Sequence, residues 1–137
     1  MPTVLEEKDA IRELLAAYCF HFDNGEFDPW LQLFTPDGVF DLGARGRVAG
    51  QAALRQFLHG IPLTDGLPMM RHCVMNSIVQ VDGDHATARS YVVVVHGGPT
   101  VGITLAGRYE DRLVKRDGAW RFAERVVHFD LMSGGSR

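Results

Sequence analysis

Apolar positions recur at helical spacing near the start of the chain. Ile11, Leu14, Leu15, Tyr18 and Phe22 form one stripe, Thr3 with Glu6 matches a capping box ahead of it, and Asn24-Gly25 closes it. A long amphipathic first helix is expected. Asp28-Pro29 reads as an N-cap followed by proline at the first helical position. Trp30, Leu31, Leu33 and Phe34 then supply the apolar faces of a short second helix that ends in the turn Thr35-Pro36-Asp37-Gly38. Val39 to Leu42 is strand-like, Gly43 to Gly46 a turn, and Gln51 to Leu58 a third helix stopped by Gly60 and Pro62.

From Met69 onward the period changes to two. Met69 to Val81 and Ala86 to His96 flank the turn Asp82-Gly83-Asp84, and Val101 to Lys115 and Trp120 to Leu131 flank Asp117-Gly118. These segments predict a meander of four long strands. Helices first and an antiparallel sheet afterwards is the α+β pattern, in which the helices cover one sheet face. A strongly curved sheet wrapped on a long helix makes a cone-shaped, barrel-like body, and a closed-ended apolar pocket within it is the expected ligand site. Strict alternation puts His72, Val74, Asn76 and Ile78 on one strand face, and Val92, Val94 and His96 on one face of the next.

With 137 residues, 46% hydrophobic and 23% charged, the chain fits one globular domain, 1–132, with 133–137 expected to fray. Fourteen Lys and Arg against 17 Asp and Glu give a formal charge of -3, which lacks the cationic surplus that nucleic-acid binding needs. The longest strongly apolar run, Tyr91 to Val95, is far shorter than a membrane span, and Glu6, Glu7, Lys8 and Asp9 stand where a secretory signal would be apolar. A cytoplasmic protein is expected. Cys19 and Cys73 are too few for a disulfide framework, although one bridge between them stays open. No H-E-x-x-H or clustered Cys/His spacing, no glycine-rich phosphate loop and no serine elbow occurs, so neither metal nor cofactor is expected. Apolar residues on both faces of the long strands predict a homo-oligomer, dimer or trimer, that buries the face the helices leave open.

The order of elements, Asp23 near the end of the first helix, the His-x-x-x-Asn string in Arg71-His72-Cys73-Val74-Met75-Asn76, and Asp-Gly-x-Trp at Asp117 to Trp120 carry a resemblance. Nearly the whole chain resembles the SnoaL-like branch of the nuclear transport factor 2-like superfamily. Within it, the chain is similar to the group of scytalone dehydratase, bile acid 7α-dehydratase and hexachlorocyclohexane dehydrochlorinase, whose members use an Asp-His pair. The resemblance implies a cofactor-free lyase, a dehydratase first of all, acting on a small apolar cyclic or polyketide-like molecule. His72 would be the general base and Asp23 its orienter. An imidazole suits proton exchange at neutral pH, and a carboxylate sets its tautomer and stabilises its cation. The plain alternative is that Asp23 caps the helix end and His72 is a satisfied strand residue.

Other assignments follow from the same resemblance. Scytalone dehydratase has a second pocket histidine at the place of His96, the dehydrochlorinase a pocket arginine at that of Arg125, and the bile acid enzyme a tyrosine five positions before its aspartate, as Tyr18 stands here. Each has a bland counterpart: a strand-end histidine, a surface ion pair, a core tyrosine. Strict alternation sets Arg125 opposite Trp120 and Phe122, but both faces contain charges, so its orientation stays open until any bulge is known. Phe40, Phe57, Met69, Asn76, Leu105 and Tyr109 are candidate substrate-binding walls. His59, His85 and His128 read as solvated. The same residues would serve an isomerase or polyketide cyclase. A noncatalytic ligand-binding or assembly module, like the small subunits of aromatic-ring dioxygenases, is the reading from another class.

Overall fold

The structure is a computed structural model that describes residues 1–133. Helix α1, Val4–Asp23, starts at the expected capping box: the Glu6 amide donates to Thr3 Oγ1 at 3.1 Å and the Thr3 amide to Glu6 Oε1 at 3.2 Å. Its buried stripe, Ile11, Leu14, Leu15, Tyr18, Cys19 and Phe22, is the expected one with Cys19 added. Helix α2, Phe27–Leu31, begins earlier than Asp28-Pro29 suggests. Pro29 sits in the first turn, where a missing amide breaks no intrahelical bond, and the Asp28 carboxylate receives Arg55 Nη1 at 2.9 Å instead of capping.

Strand β1, Phe34–Asp41, absorbs the expected turn at Thr35 to Gly38, which becomes an irregularity in its pairing. A short 3-10 turn, Gly43–Arg45, leads to β2, Arg47–Ala49, and then to α3, Gln51–His59. The meander follows as β3, Met70–Asp82; β4, His85–His96; β5, Gly102–Arg116; and β6, Ala119–Met132. The Asp117-Gly118 turn has φ of 53° and 78°, the left-handed pair that joins strands with matching twist. The sheet order is β2-β1-β6-β5-β4-β3. β1 runs parallel to β6 and all other neighbours are antiparallel, so the sheet is mixed where the meander alone implied an antiparallel one. It is curved but does not close into a barrel: β2 and β3 remain edges.

Bulges shape the inner face. In β3 the register shifts between Met75 and Ile78, with Asn76 at φ 58°. The face inverts there: Val79 is buried while Ile78 is 49% exposed, the reverse of strict alternation. β5 shifts at Gly107, where a Cβ would collide with the His128 carbonyl oxygen. β6 carries an extra residue, Ala123, opposite the Arg112–Leu113 step. At the chain's end the Ser133 amide donates to the Thr104 carbonyl at 3.1 Å; the rest of the expected frayed tail, 134–137, lies outside the described residues. Among the described residues, no helix is long and apolar enough to cross a membrane.

Candidate active site

Asp23 is the last residue of α1 and His72 the third of β3, an edge strand against which α1 packs. The Asp23 carboxylate takes both donors of one residue. The His72 amide donates to Oδ2 at 2.8 Å and the ring Nδ1 lies 2.7 Å from Oδ1. The helix end uses neither oxygen, since the Asn24 and Gly25 amides donate to the Phe20 and Phe22 carbonyls. With Oδ1 accepting, Nδ1 carries the proton and Nε2 keeps its lone pair. The two side chains are 10% and 6% exposed, and the ring is flanked edge-on by Phe22 at 5.0 Å and Tyr18 at 6.3 Å. Water therefore competes weakly for this hydrogen bond.

The second polar cluster also lies against the Tyr18 ring. The extra residue at Ala123 turns Arg125 to the same side as Trp120 and Phe122, against strict alternation, and leaves it fully buried. Arg125 donates from Nε to Asp111 Oδ1 at 2.8 Å and from Nη2 to Oδ2 at 3.1 Å, a two-pronged pair in which both side chains are 0% exposed. Its guanidinium carbon stands 3.6 Å from the Tyr109 ring centre, 4.3 Å from that of Tyr18 and 4.5 Å from that of Phe122. Burial by itself would lower the arginine's pKa; Asp111, Tyr109 and Tyr18 reverse this and raise it. Burial pushes the Tyr18 phenol up to about 12 against the pull of Arg125, so it is a protonated donor at neutral pH.

The SnoaL-like domain family matches residues 3–126. This chain belongs to it. Among solved structures, the SnoaL-like fold here overlays a candidate scytalone dehydratase of Novosphingobium aromaticivorans with a TM-score of 0.84 at 27% identity, covering 97% of this chain and 90% of that one. A Mycobacterium tuberculosis protein of unknown function is 32% identical with a TM-score of 0.82, over 93% and 74% of the two chains. A nuclear transport factor 2-like protein with a cystatin-like fold, also from N. aromaticivorans, gives 0.82 at 25% identity over 97% and 86%. The family and the α+β fold implied by the sequence are those of the structure.

In this SnoaL-like chain the remaining candidates divide. Phe40 and Tyr109 are buried, and Phe57 and Leu105 are half-buried beside them. The closed-ended pocket expected among them is filled: Tyr18, Trp30, Phe34, Phe40 and Phe57 pack ring against ring at 4.9 to 6.5 Å. The concavity that His72 borders is a groove between α1 and β3 lined also by Leu15, Cys19, Phe20 and Val74. His96 follows Val92 and Val94 on the inner face and is half-buried, with Nδ1 2.5 Å from Thr104 Oγ1. Met69 precedes β3 and is 47% exposed; alternation back from His72 brings Met70 to the core in its place. Asn76 is exposed, because the bulge at that residue takes it off the inner row. Cys19 and Cys73 are free thiols.

Asp111, Phe22 and Trp30 belong to the site's surroundings without having been singled out. Alternation from Tyr109 marks Asp111 as inward-facing, and a carboxylate on an inner face demands a buried cation. Phe22 and Trp30 read only as core from their spacing.

Proposed function

We propose that this SnoaL-like protein is a cofactor-independent lyase of the dehydratase type, acting on a small, largely apolar cyclic or polyketide-like molecule. His72 is the general base: its Nε2 lone pair removes a proton from carbon. Asp23 holds the ring in the required tautomer and balances the imidazolium that forms. Tyr18 donates its phenolic proton toward the substrate oxygen or leaving group, and Arg125 offsets the anion that develops. The observation that carries this reading is the double grip of one buried carboxylate on His72, through ring Nδ1 at 2.7 Å and main-chain amide at 2.8 Å. A histidine needed only for packing has no use for such orientation. The similarity to a candidate scytalone dehydratase supports the same class of reaction.

The test needs no native substrate. β-Tetralone, a flat bicyclic ketone with acidic α-protons, is incubated in D2O with the protein and exchange is followed by NMR. Wild type should accelerate exchange, and His72→Ala and Asp23→Asn should each lower the acceleration by roughly 100-fold or more. Equal exchange by wild type and His72→Ala would end the general-base reading.

A further inference from the structure

Both interior carboxylates beside Tyr18 are fully engaged, and two donors near them are not. Both Asp23 oxygens are taken by His72, and both Asp111 oxygens by Arg125. Among the described residues, two side-chain donors of this interior make no hydrogen bond, the Trp30 indole Nε1 and Arg125 Nη1, on residues that are both 0% exposed. A third unbonded buried atom, His128 Nε2, differs in having the Glu110 carboxylate 3.1 Å away. Trp30 and Arg125 both rest on the Tyr18 ring, at 5.4 Å between ring centres and 4.3 Å from the guanidinium carbon. The other tryptophan shows the ordinary solution, since Trp120 Nε1 donates to Glu7 Oε2 at 2.8 Å. Buried donors are seldom left unmatched, and where they are, a ligand-facing role is among the reasons.

Trp30 is surrounded by rings: Tyr18, Phe22, Phe34, Phe40 and Phe57 have centroids within 6.5 Å of its own. Of these Phe57, stacked on it from α3, is only half-buried. A flat molecule that displaced Phe57 would gain aromatic contact with the Trp30 ring. We propose that Trp30 is a ligand-binding residue whose indole N–H holds an acceptor oxygen of a flat, otherwise apolar ligand, a carbonyl compound in preference to a hydrocarbon or an amine. This rests on reading the aromatic interior as the substrate space, and it names the substrate's polar feature. It does not require His72 to act as a base.

The two tryptophans make the test internally controlled. In 15N-labelled protein the indole N–H signals of Trp30 and Trp120 are followed while β-tetralone is added, and again with tetralin, which has the same outline without the oxygen. The ketone should shift the Trp30 signal downfield and leave Trp120 in place, and tetralin should produce no such downfield shift. β-Tetralone should bind about tenfold more tightly than tetralin, and Trp30→Phe should cut that preference to roughly threefold or less. The Trp30 shift should persist in His72→Ala, so failed proton exchange with an intact shift would sink the catalytic reading alone. A Trp30 signal that stays still at saturating ketone, or that moves equally with tetralin, overturns the proposal, and the wild-type titration decides this even if Trp30→Phe folds poorly.

Discussion

Removing the Asp111 carboxylate should cost far more than removing the whole ion pair. In Asp111→Leu the Arg125 guanidinium keeps its charge at 0% exposure and loses both hydrogen bonds to the carboxylate, of 2.8 and 3.1 Å. Breaking such a buried pair from one side costs about 3–5 kcal/mol. A domain of this size has a total stability of roughly 5–15 kcal/mol, so the single variant sits near the edge of folding. The double variant Asp111→Leu/Arg125→Met removes the charge with its partner and puts apolar atoms beside Tyr18, Tyr109 and Phe122. Desolvation and attraction oppose each other in this pair: burial raises the pKa of Asp111 against the pull of Arg125, while Asp111 raises that of Arg125 against burial. The double variant should therefore lie within about 1 kcal/mol of wild type, or above it. Urea unfolding of wild type, both single variants and the double variant gives the cycle. At a slope of roughly 1.5 kcal/mol per molar, the Asp111→Leu midpoint should fall by about 2–3 M and recover in the double. A single variant within about 1 kcal/mol of wild type, or a double as unstable as the single, would show that the pair is not a desolvated one. A double variant that matches wild type would show that the pair adds little net stability.

Asp23→Asn should leave the fold intact but release the His72 ring into a mixture of tautomers, visible in long-range 1H–15N spectra; an unchanged Nδ1–H tautomer would show that Asp23 does not set it. Glu7 lies 2.7 Å from Lys115 and 2.8 Å from Trp120 Nε1, and its pKa is held down first by Lys115, against burial, and then by Trp120. Its folded value lies below its unfolded one, so its contribution is complete above the unfolded value of about 4.3 and is lost as pH falls through the folded value. Urea midpoints of wild type should accordingly drop more steeply between about pH 5 and 3 than those of Glu7→Gln, and parallel curves would refute the coupling. Gly107→Ala should lose about 1–3 kcal/mol or more in the same assay, because the added carbon meets the His128 carbonyl; a neutral change would place that bulge elsewhere. The outer sheet face presents Met75, Ile78, Tyr91 and Leu131 at 39% to 58% exposure, and light scattering should report a dimer or trimer that Tyr91→Arg weakens; a wild-type monomer at micromolar concentration would remove that expectation.

Local chemistry alone determined much of this molecule. The Thr3–Glu6 cap, the Ile11 to Phe22 stripe and the Asp117-Gly118 turn each act within a few residues, so their consequences are written in neighbouring positions. The four long strands and their order are legible for the same reason. Tertiary structure alone decided three things. It joined Asp23 to His72 across 49 positions, which spacing cannot show and only the family resemblance suggested. It added β1 parallel to β6, a pairing that no hairpin connects. It also chose which face each inner residue takes: period-two counting sets Arg125 opposite Trp120 and Phe122 and puts Asn76 and Ile78 with His72, and the bulges at Ala123 and Asn76 reverse all three. One inserted residue inverts every position beyond it, and its place is selected by how the curved sheet packs on α1 and on its own neighbouring strands rather than by the residues that form it.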